Sequence, residues 1–485
     1  MSTFYKKGKD RKQQLFFPPS LDEYIPENSS IRSIDVYIDS LNFMELGFLD
    51  TRKSSRADGQ KAYNPKMLMK TYLYGYLNKI RSSRMLEREC KRNIELMWLT
   101  HGLTPSYHTI ADFRKDNPKA LRKTFKHFVI ICKNLSLIGD GLKAVDGAFL
   151  RANASKNKLL MKSTLIKDLV RIDKKIEDYL STLDSVDQEK QPSNLADNLP
   201  NDLEKLKAKQ QQITEDLALL EELKKKQHNQ TDPDASLMKK PAHNLMAYNS
   251  QIVVDEKFKL IAATDVSSKG CDNEQLYKMS KQTKDNLNVT TLDITADKGY
   301  YSAKELKKCV DENIYTFVPE VSRSHIQLSK GKYTRQQFEY DAERDRYICP
   351  NKATLSRKNK KIQKGKTNIK YESSSKECKQ CPIRNKCIST NAKSKQLYRW
   401  EYEKILDQHT LKMKTPEAKG IVKKRSSIVE HPFGTIKRML GWDHFLVRGK
   451  EKVSGENSLI MLCYNFKRVI NIMGNEMFKK LIQVV

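Results

Sequence analysis

The spacing of apolar residues changes period along this chain, and that change limits the possible folds more than any single motif does. Over Pro65 to Asn134, Leu68, Tyr72, Leu73, Tyr76 and Leu77 fall on one helical face, and Leu86, Cys90, Ile94, Met97 and Trp98 continue the spacing. Residues 1–140 are therefore expected to form a helical domain. After Gly139-Asp140-Gly141, Lys143 to Leu150 alternates as a strand does. From Asn249 the strand period returns, with Gln251–Val254 and Leu260–Val266 separated by Asp255 to Lys259, a length that suits an antiparallel hairpin. A helix over Asn273–Thr283, a strand over Thr291–Ala296, a helix over Ser302–Val310 and a strand over Ile314–Pro319 complete the run. Helices alternating with strands imply parallel pairing, so the fold class is mixed α/β. Ile421 to Val485 returns to helical spacing through Ile428, Val429, Phe433, Ile436 and Leu440, then Leu459, Leu462, Phe466 and Val469.

Two stretches interrupt this order. Leu159–Leu180 and Leu203–Leu223 carry apolar residues at a spacing near 3.5, as in Leu206, Ile213 and Leu220, and flank the polar Gln191–Asn201. They read as a helical hairpin of coiled-coil type. Asn351 to Lys370 holds eight Lys or Arg and no acid, which suits a loop or extended hairpin lying on phosphates.

Charge narrows the partners. The 485 residues include 90 Lys plus Arg against 59 Asp plus Glu, a formal charge of +31. Such an excess points to a polyanion, because Lys and Arg release counterions condensed on nucleic-acid phosphates. The longest apolar run, Leu459–Tyr464, has six residues, far short of the roughly 18 that a membrane-spanning helix needs. Basic Met1–Lys12 leads into no apolar segment with a small-residue cleavage site, so no secretory signal is expected and a cytoplasmic, nucleoid-associated location is. Nine cysteines are too few for a disulfide scaffold, and Cys90, Cys132, Cys271, Cys309 and Cys463 read as packed thiols. Cys349, Cys378, Cys381 and Cys387 are different, because the Cys-x2-Cys-x5-Cys spacing with one upstream thiol suits a tetrahedral structural Zn²⁺.

Several residues invite chemistry. Asp146 lies between Val145 and Gly147 within a strand, where a carboxylate needs a polar site or a cation. Asp297 follows the strand ending at Ala296, and the carboxyl ends of strands are where open α/β sheets bind ligands. Ser106 can cap a short helix presenting Tyr107, His108, Arg114 and Lys115 outward, as a helix-turn-helix reader would. His431, a lone histidine, reads as packing or a phosphate contact.

Three segments together, Val145-Asp146-Gly147, Thr295-Ala296-Asp297-Lys298-Gly299-Tyr300 and Val429-Glu430-His431-Pro432-Phe433-Gly434-Thr435-Ile436-Lys437, resemble the acidic motifs of bacterial insertion-sequence DDE transposases. The resemblance spans nearly the whole chain. It implies an RNase H-like, five-stranded mixed sheet built from 141–156, 241–320 and 416–485, with a helical hairpin insertion at 157–240 and a basic, Cys-containing insertion at 321–415. It implies that Asp146, Asp297 and Glu430 hold two Mg²⁺ ions, which Mn²⁺ can replace. Separations of 297 − 146 = 151 and 430 − 297 = 133 become compatible with a compact core once both insertions are removed. Lys437, seven residues after Glu430, together with Arg438, is assigned to phosphates. Arg425 is assigned there too, although it stands five residues before the Glu, one more than the family spacing. The implied function is binding of terminal inverted repeats and Mg²⁺-dependent cleavage and strand transfer on double-stranded DNA by at least a homodimer. The alternatives are a metal-dependent endonuclease that does not join strands and a DNA-binding regulator whose site is no longer used.

Overall fold

A computed structural model of the protein describes residues 20–49, 62–188, 199–239, 244–320, 329, 331–363 and 366–483, with backbone alone at 182–188 and 199–202. Met1–Lys12 and most of Gln191–Asn201 lie outside the described residues. Seven helices open the chain: α1 (Ser30–Ser40), α2 (Phe43–Leu46), α3 (Pro65–Leu77), α4 (Ser83–Cys90), α5 (Ile94–Leu99), α6 (Tyr107–Asp116) and α7 (Pro118–Asn134). Their starts follow local chemistry. Pro65 and Pro118 occupy the first helical turn, where a missing N–H costs nothing. The side chain of Asn64 accepts from the Lys66 N–H, and that of Ser106 from the Thr109 N–H, as the serine predicted.

The main sheet begins with β1 (Lys143–Arg151). After β2 (Leu159–Met161) come the hairpin helices α8 (Lys162–Gln188) and α9 (Leu199–Glu222), β3 (Gln227–Asn229), β4 (Ser236–Lys239), β5 (Asn244–Asp255), β6 (Ile261–Ser267), α10 (Leu276–Leu287), β7 (Leu292–Thr295), α11 (Ala303–Asp311) and β8 (Ile314–Phe317). β5 lies antiparallel to β1 and β6, whereas β1, β7 and β8 are mutually parallel, as alternating helices and strands require. The expected five strands are present. A sixth, β4, pairs with the first residues of β5. Four residues are too few to show a period, so this strand was absorbed into the predicted helical insertion.

Burial on both faces holds the sheet. Val145, Val253, Ala263 and Ile294 pack with Leu276, Met279 and Leu306 of α10 and α11. On the opposite face Ala144, Ala148, Leu150 and Ile252 join one apolar cluster with the N-terminal helices and the C-terminal helices α15 (Pro416–Gly434) and α16 (Lys450–Ile482). Each buried aliphatic side chain contributes about 1.5–3 kcal/mol. α16 packs against α1, α3, α7 and β6, so the helical region and the sheet share one core. A buried ion pair, Lys143 to Asp255 at 2.9 Å, joins the start of β1 to the end of β5.

The basic insertion folds as a second, antiparallel sheet in the order β13-β12-β11-β10-β9. Its strands are β9 (Glu339–Asp341), β10 (Arg346–Ile348), β11 (Thr354–Gln363), β12 (Lys366–Ser373) and β13 (Gln396–Trp400). β11 and β12 form the extended hairpin expected from the Lys-rich stretch. Two one-turn helices, α12 (Ser375–Lys379) and α13 (Arg384–Cys387), sit between β12 and β13, and α14 (Glu403–Lys414) leads back to the main core.

Candidate active site

The parallel register of the main sheet brings the two predicted aspartates together. Ala144 of β1 stands opposite Thr295 of β7, and Asp146 and Asp297 each follow two residues later on strands spaced about 4.8 Å apart. Both therefore sit at one level on neighbouring strands, Asp146 within β1 and Asp297 just beyond the end of β7. Asp297 turns the chain out of β7, with its Oδ1 accepting the Gly299 N–H at 2.7 Å. Asp146 falls in step with Ala144 and Ala148, facing α15. Burial pushes its carboxyl up to about 6; Arg425 opposes the shift, while the negative charges of Asp297 and Asp272 add to it.

Asp272 is a site residue the sequence reasoning missed. Its Oδ1 accepts from Asn249 Nδ2 at 2.8 Å and from Gln251 Nε2 at 2.7 Å, and Gln251 Oε1 accepts from the Tyr300 hydroxyl at 2.6 Å. This network fills the space beside Gly147, where a Cβ would stand 2.3 Å from Gln251 Nε2. Glycine at 147 is thus a packing requirement of the network. The signal was present in Asn249 and Gln251, two amides on a strand otherwise fit for burial, since buried amides need a polar partner.

α15 carries the remaining predicted groups. Arg425 Nη1 lies 3.5 Å from Asp146 Oδ1. That nitrogen is buried and has no hydrogen-bond acceptor among the described residues. Glu430 is exposed and accepts from the hydroxyl of Ser426, one turn back on its own helix. Five residues separate it from Arg425, a rotation of about 140° on a 3.6-residue helix, so the two leave different faces. Pro432 lies inside the helix, and one turn of π-helix follows at Thr435–Met439, as expected where a proline breaks the ladder of N–H donors. Lys437 lies on that wide turn with its ammonium 5.3 Å from the centre of the Phe433 ring, and Arg438 is exposed beside it. His431 is exposed, with Nδ1 3.0 Å from the Tyr464 hydroxyl, and partial desolvation lowers its proton affinity.

The N-terminal prediction needs correction at one residue. His108 and Lys115 are exposed on α6, with Lys115 paired to Asp112 at 2.5 Å. Arg114 points inward: it is buried, 3.4 Å from Glu456 Oε1 on α16 and 2.9 Å from the Tyr76 hydroxyl. On a ten-residue helix whose apolar face needs Ile110 and Phe113, position 114 falls on that same face. Among the lone thiols Cys271 also departs from expectation, being exposed where Cys90, Cys132, Cys309 and Cys463 are buried. It sits in the loop leaving β6, outside the helical and strand periods that bury the others.

Cys349, Cys378, Cys381 and Cys387 line one small cavity at the end of the second sheet. Burial raises the Cys387 thiol, and the other three add to the shift. Among the described residues no three His, Cys, Asp or Glu side chains are arranged to hold a metal ion, and no helix is long and apolar enough to cross a membrane.

Comparisons with known proteins find transposase family models in two stretches of the chain. A family model described as "Transposase domain (DUF772)" matches residues 19–116, the helical region. A model described as "Transposase DDE domain" matches residues 348–470, which include the four cysteines, Arg425, Glu430 and Lys437, whereas Asp146 and Asp297 lie outside it. No curated protein matches. Among solved structures the chain resembles a piggyBac transposase in a synaptic complex with hairpin DNA, at 9% identity over 94% of this chain and 79% of that one. The TM-score of that pair is 0.32, too low to carry an argument. The two transposase models match in order along the one chain, at its helical start and across its second sheet and C-terminal helices.

Proposed function

We propose that the protein is a DNA transposase that binds the terminal inverted repeats of its element and cuts and joins DNA by Mg²⁺-dependent phosphoryl transfer. The observation that carries this reading is the register of β1 and β7, which sets Asp146 beside Asp297 under the helix bearing Arg425 and Glu430. The strand order β6-β5-β1-β7-β8, antiparallel then parallel, supports an RNase H-like core. Carboxylates crowded enough that Asp297 and Asp272 add to the raised proton affinity of Asp146 suit hard cations. Asp146 and Asp297 would hold two Mg²⁺, or Mn²⁺, and Glu430, which leaves a different face of α15 from Arg425, would complete the set only with a rotation of that helix. When bound, such ions supply a water-derived nucleophile and stabilisation of the leaving 3′ oxygen.

The chain's own side chains do the rest. The unsatisfied Arg425 Nη1 offers a buried donor beside Asp146, a fit for a phosphodiester oxygen. Lys437 and Arg438 extend the positive charge along α15. Water attacks the phosphodiester at the element end, and the freed 3′ hydroxyl then attacks target DNA. Two ends must be held together, so the working form is at least a homodimer. Strand-transfer assays test the reading: insertion of an element's 3′ end into a second duplex is expected. Cutting without joining would identify a plain endonuclease, and binding without cutting a regulator.

For the second sheet we propose a structural Zn²⁺ on Cys349, Cys378, Cys381 and Cys387. The shared cavity and the effect of the other three thiols on Cys387 fit that ion.

A further inference from the structure

Resting on the reading of the chain as a DNA-processing enzyme, we infer that the groove between α7 and α10 is the track for one phosphate backbone of a DNA duplex. The groove encloses about 660 Å³ and is lined by Lys119, Arg122, Lys123 and Lys126 from α7 and by Lys278 and Lys281 from α10. The same lining holds one acid, Asp285.

The charge on α7 is the reason to assign it a polyanionic partner. Its 17 residues include Lys119, Arg122, Lys123, Lys126 and Lys133 and no Asp or Glu. Lys119 with Lys123, and Arg122 with Lys126, are like charges four residues apart, a spacing that destabilises a helix unless something offsets it. The fold offsets only part of this charge. Lys119 lies 3.7 Å from Glu451, and Lys278 and Lys281 are paired with Asp265 and Glu312. Arg122 and Lys126 are exposed and have no acidic partner among the described residues. This differs from α6, where Arg114 is consumed by Glu456 and Lys115 by Asp112.

Geometry fits a backbone rather than a single anion. Lys119 and Lys126, with Arg122 between them, stand seven steps apart on α7, about 10 Å at 1.5 Å per residue. A strand of duplex DNA presents a phosphate every ~3.4 Å of axial rise, so about three phosphates match that stretch. Tyr277, Gln282 and Asn286 complete the α10 wall, their donors committed to Glu312, Thr264 and Ala262, so the lysines and Arg122 are the phosphate-facing groups. α10 starts four residues after Asp272, so the track leads toward the carboxylate cluster.

The test measures binding of a short random-sequence DNA duplex by fluorescence anisotropy across ~50–200 mM salt, on the full chain. R122Q/K126Q removes two contacts without reversing charge, and R122E/K126E reverses it. K174E/K175E on exposed α8 controls for net charge, and circular dichroism melts check folding. The expected result is a salt slope smaller by about 2 for R122Q/K126Q and affinity lower by roughly tenfold or more for R122E/K126E, beyond any change in the control. Should the glutamate variant fail to fold, the glutamine variant decides. Wild-type binding with groove variants no weaker than the control would overturn the track and leave the proposed function standing. A wild-type chain that binds no duplex at any salt would overturn the function and the track with it.

Discussion

The two sheets of this molecule are held in different ways. The main sheet is buried on both faces, by α10 and α11 on one side and by α15, α16 and the N-terminal helices on the other. The second sheet gathers a small cluster of Phe338, Tyr347, Leu355, Tyr371 and Leu397, and supplements it with polar contacts. Arg399 lies 3.8 Å from the centre of the Tyr340 ring, and Asp345 accepts from the hydroxyls of both Tyr340 and Tyr371. A sheet rich in apolar burial can carry unfavourable charge, whereas a sheet poor in it must recruit charge as support. Asp146 and Asp345 are the two cases. Burial and like charges push the first carboxyl up to about 6, while hydrogen bonds from Tyr371, Tyr340 and Arg357 outweigh burial and pull the second below the usual aspartate value.

The largest effect that would sharpen this contrast is on chemistry. Replacing Asp297 with Ala, or Glu430 with Ala, is expected to lower DNA cleavage by about 10³-fold or more while duplex binding persists. Cleavage unchanged by either substitution would remove that residue from the site. Next comes metal. C378S/C381S should lose zinc by elemental analysis and expose the amides of 339–400 to hydrogen exchange, leaving β1 and β5 protected, because structural zinc supplies folding energy where the core is thin. Equal exchange in both sheets would erase the distinction between them.

Smaller effects test the two carboxylates. Because the fold raises the Asp146 carboxyl, its ionised form opposes folding. That penalty is absent below the ordinary value near 3.8, grows toward pH 6 and is complete above it. D146N should therefore stabilise the metal-free protein by about 1–3 kcal/mol at pH 7.5, part of the gain being offset by the lost Arg425 pair, with the advantage shrinking as pH falls toward 4. Denaturant titrations at several pH values measure this, and a destabilised D146N would contradict it. D345N should do the reverse, costing the second sheet about 1–2 kcal/mol at neutral pH through its lost charged hydrogen bonds. The support Asp345 gives is present above the ordinary aspartate value and disappears as pH drops through its lowered folded value.

What could be read from the sequence was whatever repeats or alternates. The helices of Pro65–Asn134, the strands at Lys143 and Gln251, and the alternation after Asn273 were legible because burial on one face imposes a period. Asp146 and Asp297 stood out as acids at strand positions that disfavour them. What was hidden depends on partners distant in sequence: Arg114 faces inward because Glu456, 342 residues away, is there to meet it. Asp272 gained a role only when β5 placed Asn249 and Gln251 next to it. Of the second sheet only the β11–β12 hairpin was legible, because β9 and β10, at three residues each, are too short to show a period.

The shared core has a consequence for synthesis. α7 is made early and α16 last, yet they pack on each other, and the carboxylate centre draws on β1, β7 and α15. A ribosome must therefore have made α16 before the apolar face of α7 is covered, and α15 before Arg425 reaches Asp146. A message cut short upstream of α15 encodes a chain that lacks both the cover of α7 and the cation facing Asp146.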